Sequence, residues 1–135
     1  PSDDKVQTFD PLYPFGHSYQ GYQDVFSWKN AHALKLSGSA QATPATSVAL
    51  DWHYFRTAQA RDAWYGATTA AIARDNAGRS GNEVGHELDL HARTTVRGAL
   101  KLWYGYSRFF ASSFVRATAG GKGRDWAFLQ ATLDF

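Results

Sequence analysis

The stretch EVGHELDLHARTTVRGALKLWYGYSRFF, residues 83–110, decides the fold. On an extended chain successive side chains point to opposite faces, so Val84, His86, Leu88, Leu90, Ala92 and Thr94 share one side. Glu87, Asp89, His91, Arg93 and Thr95 take the other, which makes a strand with one apolar and one densely ionic face. A tight turn at Val96-Arg97-Gly98 leads into Leu100, Leu102, Tyr104 and Tyr106 opposite Lys101, Trp103, Gly105 and Ser107. The two runs read as an antiparallel hairpin over 83–110.

The same design recurs on either side. Residues 31–57 form a first hairpin about Pro44, with Leu34, Leu36, Gly38, Val48, Leu50, Trp52 and Tyr54 on one face and Lys35, Ser37, Ser39, Asp51 and His53 on the other. Residues 125–135 read as a final strand in which Ala127, Leu129, Ala131, Leu133 and Phe135 alternate with Trp126, Phe128, Gln130, Thr132 and Asp134. Between these runs, 58–82 is Ala-rich and closes on Gly78, Ser80 and Gly81; it reads as a long structured loop, with a short helix around Asp62–Ala73 as the other option. Residues 111–124, with Gly120, Gly121 and Gly123, read as a second loop. Residues 1–30, punctuated by Asp10-Pro11, Tyr13-Pro14 and Gly16, read as an aromatic-rich loop or chain end laid against something else.

Composition removes several classes. A chain of 135 residues holds one modest core. Aromatics are 16% of it, yet mean hydropathy is -0.43, so rings must serve surfaces as well as a core. Lys and Arg number 14 against 12 Asp and Glu, a formal charge of +2 that gives no polybasic footprint for nucleic acid. The lack of cysteine excludes a disulfide framework, thiol catalysis and a Cys-ligated metal. No apolar run approaches the roughly 18 residues of a membrane helix; a barrel strand needs only about 9–11 and escapes that exclusion. Methionine is absent, so Pro1 reads as a processed or trimmed start.

Loop lengths alternate strictly, short at Pro44 and Arg97 and long at 58–82 and 111–124, as in an outer-membrane barrel with short turns at one end and long external loops at the other. Trp52, Tyr54, Tyr104 and Tyr106 near one rim and Phe135 at the other read as the aromatic belts of the lipid-facing side. Lys35, Asp51, Glu87, Asp89, Arg93 and Lys101 on the alternate face are expected to line a hydrated lumen, because a sealed core would leave such charges uncompensated. Too few strands are present to enclose a channel, so the expected fold is an antiparallel barrel of which this chain supplies about five C-terminal strands. The remaining strands would come from an upstream segment or a separate chain.

Four segments carry a family resemblance: Phe9-Asp10-Pro11-Leu12-Tyr13-Pro14 with Gly16-His17, Arg61-Asp62-Ala63-Trp64-Tyr65, Gly85-His86-Glu87-Leu88-Asp89-Leu90, and Leu129-Gln130-Ala131-Thr132-Leu133-Asp134-Phe135. From Phe9 to Phe135 the chain resembles the carboxy-terminal part of the alginate export family of outer-membrane β-barrels. The resemblance implies a barrel of about eighteen strands in the bacterial outer membrane. It also implies passive export of an anionic polysaccharide, or passage of small anionic or polar solutes, with no enzymatic activity and no cofactor. Lys35, Arg93 and Lys101 would contribute to a basic wall and Arg56, Arg61, Arg108 and Arg116 to the external mouth, while Asp51, Glu87, Asp89 and Asp134 on the same side make the visible arc mixed. Outer-membrane lipid and, through the terminal Phe135, the barrel assembly machinery are the implied partners.

Other constellations have plainer readings. Glu87, Asp89 and His91 repeat about every 7 Å, too spread for a compact metal site. Asp10, Asp24 and Asp62 lack the spacing of a calcium loop, and Gly120-Gly121-Lys122-Gly123 lacks that of a nucleotide loop. Tyr13, Tyr19, Tyr22, Trp28 and Trp64 would pack a loop over the rim or stack on sugar rings. A soluble β-sheet carbohydrate-binding module is the alternative to a channel.

Overall fold

Alternation of the kind seen at 83–110 produces a sheet whose two faces differ in what covers them. The computed structural model describes residues 8–13 and 19–135; Pro14, Gly16 and His17, quoted above, lie outside them. The elements are β1 (Ala31–Thr43), β2 (Thr46–Thr57), β3 (Trp64–Tyr65), β4 (Ala71–Ala73), β5 (Glu83–Arg97), β6 (Leu100–Ala111), α1 (Ser113–Ala119) and β7 (Arg124–Leu133). Five of the strands form one antiparallel sheet in the order β1-β2-β5-β6-β7, and β3 and β4 form a separate small ladder. The protein is thus all-β and antiparallel with one short helix.

Register builds rows across the sheet. On one face lie Lys35–His53–Glu87–Phe109–Arg124, then Ser37–Asp51–Asp89–Ser107–Trp126, then Ser39–Ala49–His91–Gly105–Phe128, then Gln41–Ser47–Arg93–Trp103–Gln130. The opposite face carries Leu34, Tyr54, His86 and Phe110 in one row and Gly38, Leu50, Leu90, Tyr106 and Ala127 in another. Polarity is inverted relative to a soluble sheet: Leu34, Leu90 and Leu129 are 51%, 49% and 72% exposed, while Glu87, Asp89 and His53 are 0%, 1% and 1% exposed. No second layer covers the leucines among the described residues.

A small core does form, at the long-loop end. Phe26, Phe55, Trp64, Val84, Phe109, Phe114 and Val115 pack there, joining the segment before β1, the 58–82 loop and α1 to the sheet. Asn30 ties the first two together: its carboxamide nitrogen donates to the Gln59 and Ala63 carbonyls at 3.2 and 2.9 Å, and its oxygen accepts from the Gln59 amide at 2.8 Å. Asn30 is held at φ 51°, a left-handed conformation that Asn tolerates better than most residues. Trp64 adds an indole N–H bond to the Val25 carbonyl at 2.7 Å. Asp62 gathers Thr8, the Ala63 amide, Tyr65 and Arg74. Burial pushes its carboxyl up, and those four contacts together outweigh burial and leave it below the usual carboxylate range.

Three expectations need correction. The 111–124 segment is not all loop: Ser113–Ala119 is helical and ends on Gly120 in the left-handed conformation, φ 68°. Two turns are too short to display a helical period, and buried Phe114 and Val115 rather than propensity hold them in place. In 58–82 the chain forms the β3–β4 ladder instead of a helix. The last strand stops at Leu133, so Phe135 lies beyond it, fully exposed, instead of closing the alternation.

Asn30→Ala removes three bonds from the joint between the two loops and should cost roughly 2–3 kcal/mol, read as a loss in thermal or denaturant unfolding of the folded protein. A change under about 0.5 kcal/mol would show that the joint is held by Phe26 and Trp64 alone.

Candidate functional site

Two carboxylates on adjacent same-side positions of β5 are withdrawn from water, and that demands donors. Residues 19–30 supply them by lying as a strap across the ionic face. The Gln23 amide donates to Glu87 Oε1 at 3.0 Å and the Tyr22 amide to Asp89 Oδ2 at 3.3 Å, while Ser107 Oγ donates to Glu87 Oε1 at 3.1 Å. The Gln23 side chain donates to Ser107 Oγ at 3.0 Å and to the Arg124 carbonyl at 3.1 Å. Arg124 answers with Nε on Gln23 Oε1 at 2.9 Å and a second bond from Nη2 to the Gln23 carbonyl. Gly21, at φ 82°, sits where a Cβ would run into the Glu87 carboxylate. Only glycine lets the strap come this close.

The remaining ionic groups compensate one another. Asp51 and Asp89 stand opposite in the β2–β5 register, an unfavourable pairing of like charges. Lys35 Nζ, 3.0 Å from Asp51 Oδ2, relieves it, and two imidazoles lie alongside, His53 Nε2 3.3 Å from Asp89 Oδ2 and His91 Nε2 3.8 Å from Asp51 Oδ2. Lys101 pairs with Asp134 at 2.6 Å. Among the described residues Arg93 has no carboxylate partner; its guanidinium lies 4.8 Å from the centre of the Trp103 ring.

The wall expected to be wet and mixed in charge is therefore split. Glu87 and Asp89 are sequestered beneath the strap and Asp51 is paired with Lys35, while among the described residues Arg93 and Arg124 have no carboxylate partner. Aromatic rings occupy the same face just below the strap. Trp126 stacks on Phe128 with centroids 5.0 Å apart, Trp103 meets Phe128 edge-on at 4.9 Å, and Tyr22 reaches down from the strap to contact His91, Trp103, Trp126 and Phe128. Trp103 Nε1 donates to His91 Nδ1 at 3.2 Å, which fixes its indole. Gly105 has no Cβ to obstruct Phe128, whose ring fills that space. Burial, reinforced by the Asp51 and Asp89 carboxylates, pushes the Tyr22 hydroxyl up to about 12, so it stays neutral at ordinary pH.

Other candidates fall elsewhere. Trp52 and Tyr54 lie on the apolar face near the long loops, with His86 stacked on Trp52 at 5.5 Å, and Tyr104 and Tyr106 share that face. Arg56 and Arg61 are exposed at the long-loop end, and Arg116 bonds the Ala111 carbonyl at 2.5 Å. Arg108 stands apart from a mouth: it is on the apolar face, paired with Asp125 and over Phe110. Trp64 is buried in the core, while Tyr19 and Trp28 remain exposed with centroids 6.1 Å apart. No group of three or more His, Asp or Glu among the described residues is placed to hold a metal ion. Sequence reasoning missed Trp103, Trp126 and Phe128, and the available signal was their parity, which puts rings among amides and charges.

A family model described as Alginate export matches residues 1–128. The chain belongs to the alginate export family. No curated protein and no solved structure matches it. The alginate export family is one of transport.

Gly21→Ala combines a clash at Glu87 with a disfavoured positive φ, so it should loosen the strap. Amide exchange at Tyr22 and Gln23 is expected to accelerate about tenfold or more. Unchanged protection at those two amides would mean that the strap is not held by the carboxylates.

Proposed function

We propose that the protein forms part of an outer-membrane β-barrel through which anionic polysaccharide, or small anionic or polar solutes, pass without an energy source. The observation that carries this reading is the inverted sheet: an uncovered leucine face opposite a face of sequestered carboxylates. Leu34, Leu50, Leu90 and Leu129 then meet hydrocarbon, and each leucine side chain removed from water contributes about 1.5–3 kcal/mol when fully covered. Trp52, Tyr54, Tyr106 and Phe110 supply rings near one rim of that face. A soluble carbohydrate-binding module would leave the same leucines in water with nothing gained.

The outer edges of β1 and β7 carry ladder groups that further strands would satisfy, as hydrocarbon tolerates none unpaired. Those strands complete a larger barrel, of about eighteen on the family pattern. The ionic face becomes the lumen wall and the strap narrows the bore at the long-loop end. Arg93, without a carboxylate partner among the described residues, raises the concentration of anions beside it. Phe135 is the natural handle for the assembly machinery.

In planar bilayers Arg93→Glu should shift the reversal potential of the full-length protein toward cations, and Lys101→Glu should shift it less because Lys101 is held by Asp134. Identical ion preference in both variants and the parent would reject the role of this wall. Independently, Leu90→Arg should cost about 2–4 kcal/mol in refolding from denaturant into lipid, as for a cation at the bilayer midplane. A loss within about 0.5 kcal/mol would place Leu90 in water and remove the membrane reading.

A further inference from the structure

Rings on the ionic face are the feature that the charge-based reading leaves unused. Lipid meets the opposite face, so it does not explain Trp103, Trp126 and Phe128, and a purely ionic solute would have no use for them. The strap accounts for one side of the cluster through Tyr22, but Trp126 stays 39% exposed. Next to the rings, toward the short turns, is a groove of about 540 Å³ bordered by Trp103, Arg93, Lys101, Gln41, Gln130 and Ser47. That volume is in the range of small-molecule sites. Indole surface beside amides, a hydroxyl and cations matches one kind of solute: a pyranose ring, with apolar C–H faces and a rim of hydroxyl groups.

We propose that Tyr22, Trp126, Phe128 and Trp103, with the adjoining groove, form a stacking subsite for pyranose rings, so that this wall recognises sugars by ring shape as well as by charge. The proposal deepens the channel reading and rests on the ionic face lining the passage. Trp126 and the row of Gln130, Trp103 and Arg93 are two same-face rows apart, about 13 Å, so a short chain of sugars with one ring on Trp126 would reach the groove with a later ring, where a carboxylate would pair with Arg93. The His91–Trp103 bond holds one indole in place before any sugar arrives, which reduces the ordering that binding requires. Exposed Tyr19 and Trp28 on the same strap continue the series of rings toward the long-loop end.

The test uses the full-length protein in detergent micelles, titrated by calorimetry with two probes: a neutral glucose hexasaccharide and a hexauronate. Trp126→Ala should weaken both about five- to tenfold, and Trp126→Phe should restore most of that, since loss of an aromatic contact is worth about 1 kcal/mol. Arg93→Gln should weaken the hexauronate alone. Heat-modifiable gel mobility checks that each variant is folded, and Phe128→Leu, which keeps apolar volume while removing a ring, stands in if Trp126→Ala does not fold. Equal affinity of parent and folded ring variants for both probes, or no binding by the parent, overturns the subsite. Binding without any open-channel current in bilayers would keep the subsite and sink the passage instead.

Discussion

A carboxylate taken out of water must be met by donors, and the ionic half of this structure is organised around that requirement at Glu87 and Asp89. Both are buried, and the backbone amides that reach them come from Gln23 and Tyr22, residues more than sixty positions earlier in the chain. The need for close approach selects glycine at 21, and the pull of Arg124 on Gln23 binds the strap to β7 as well as β5. Stability of the strap and neutralisation of the wall are thus one problem with one solution. Glu87 and Asp89 each gain a backbone N–H bond from the strap, and the strap gains its anchor.

The opposite half obeys a different constraint. No second layer covers the leucines of the apolar face among the described residues, while the aromatic core is confined to the long-loop end, where the strap, the β3–β4 ladder and α1 meet. Loops and sheet middle are therefore stabilised differently. The loop end folds by burying Phe26, Phe55 and Phe114 as an ordinary small core does, and the sheet relies on its ladder and on whatever apolar medium meets its leucines.

Much of this was written in the sequence. Period two at 31–57 and 83–110 and again after residue 124 was enough to read an antiparallel sheet and the faces of Leu90 and Glu87, because parity fixes the face until a bulge shifts it, as beside Gly85, where Val84 turns from the expected apolar face into the core with Phe55 and Phe109. Arg93 and Lys101 fell on the ionic side for the same reason. What parity does not report is long-range docking. The strap reads only as an aromatic-rich loop, since the bonds from Gln23 and Arg124 link positions about a hundred residues apart. The helix after Ser112 was hidden by its brevity, and Arg108 was counted with the mouth although its even-numbered position matched Tyr106 and Phe110. Parity places Trp103, Trp126 and Phe128 on the ionic face, and only the register between β6 and β7 sets them side by side.

Gly105 lies beneath the ring cluster. With no side chain at that position, the Phe128 ring settles into the surface of β6 instead of standing above it. Any larger residue would lift the ring, and Tyr22 resting on it, away from the sheet by about the thickness of a methyl group. The height of the ring cluster above the sheet is thus set by an atom that is missing.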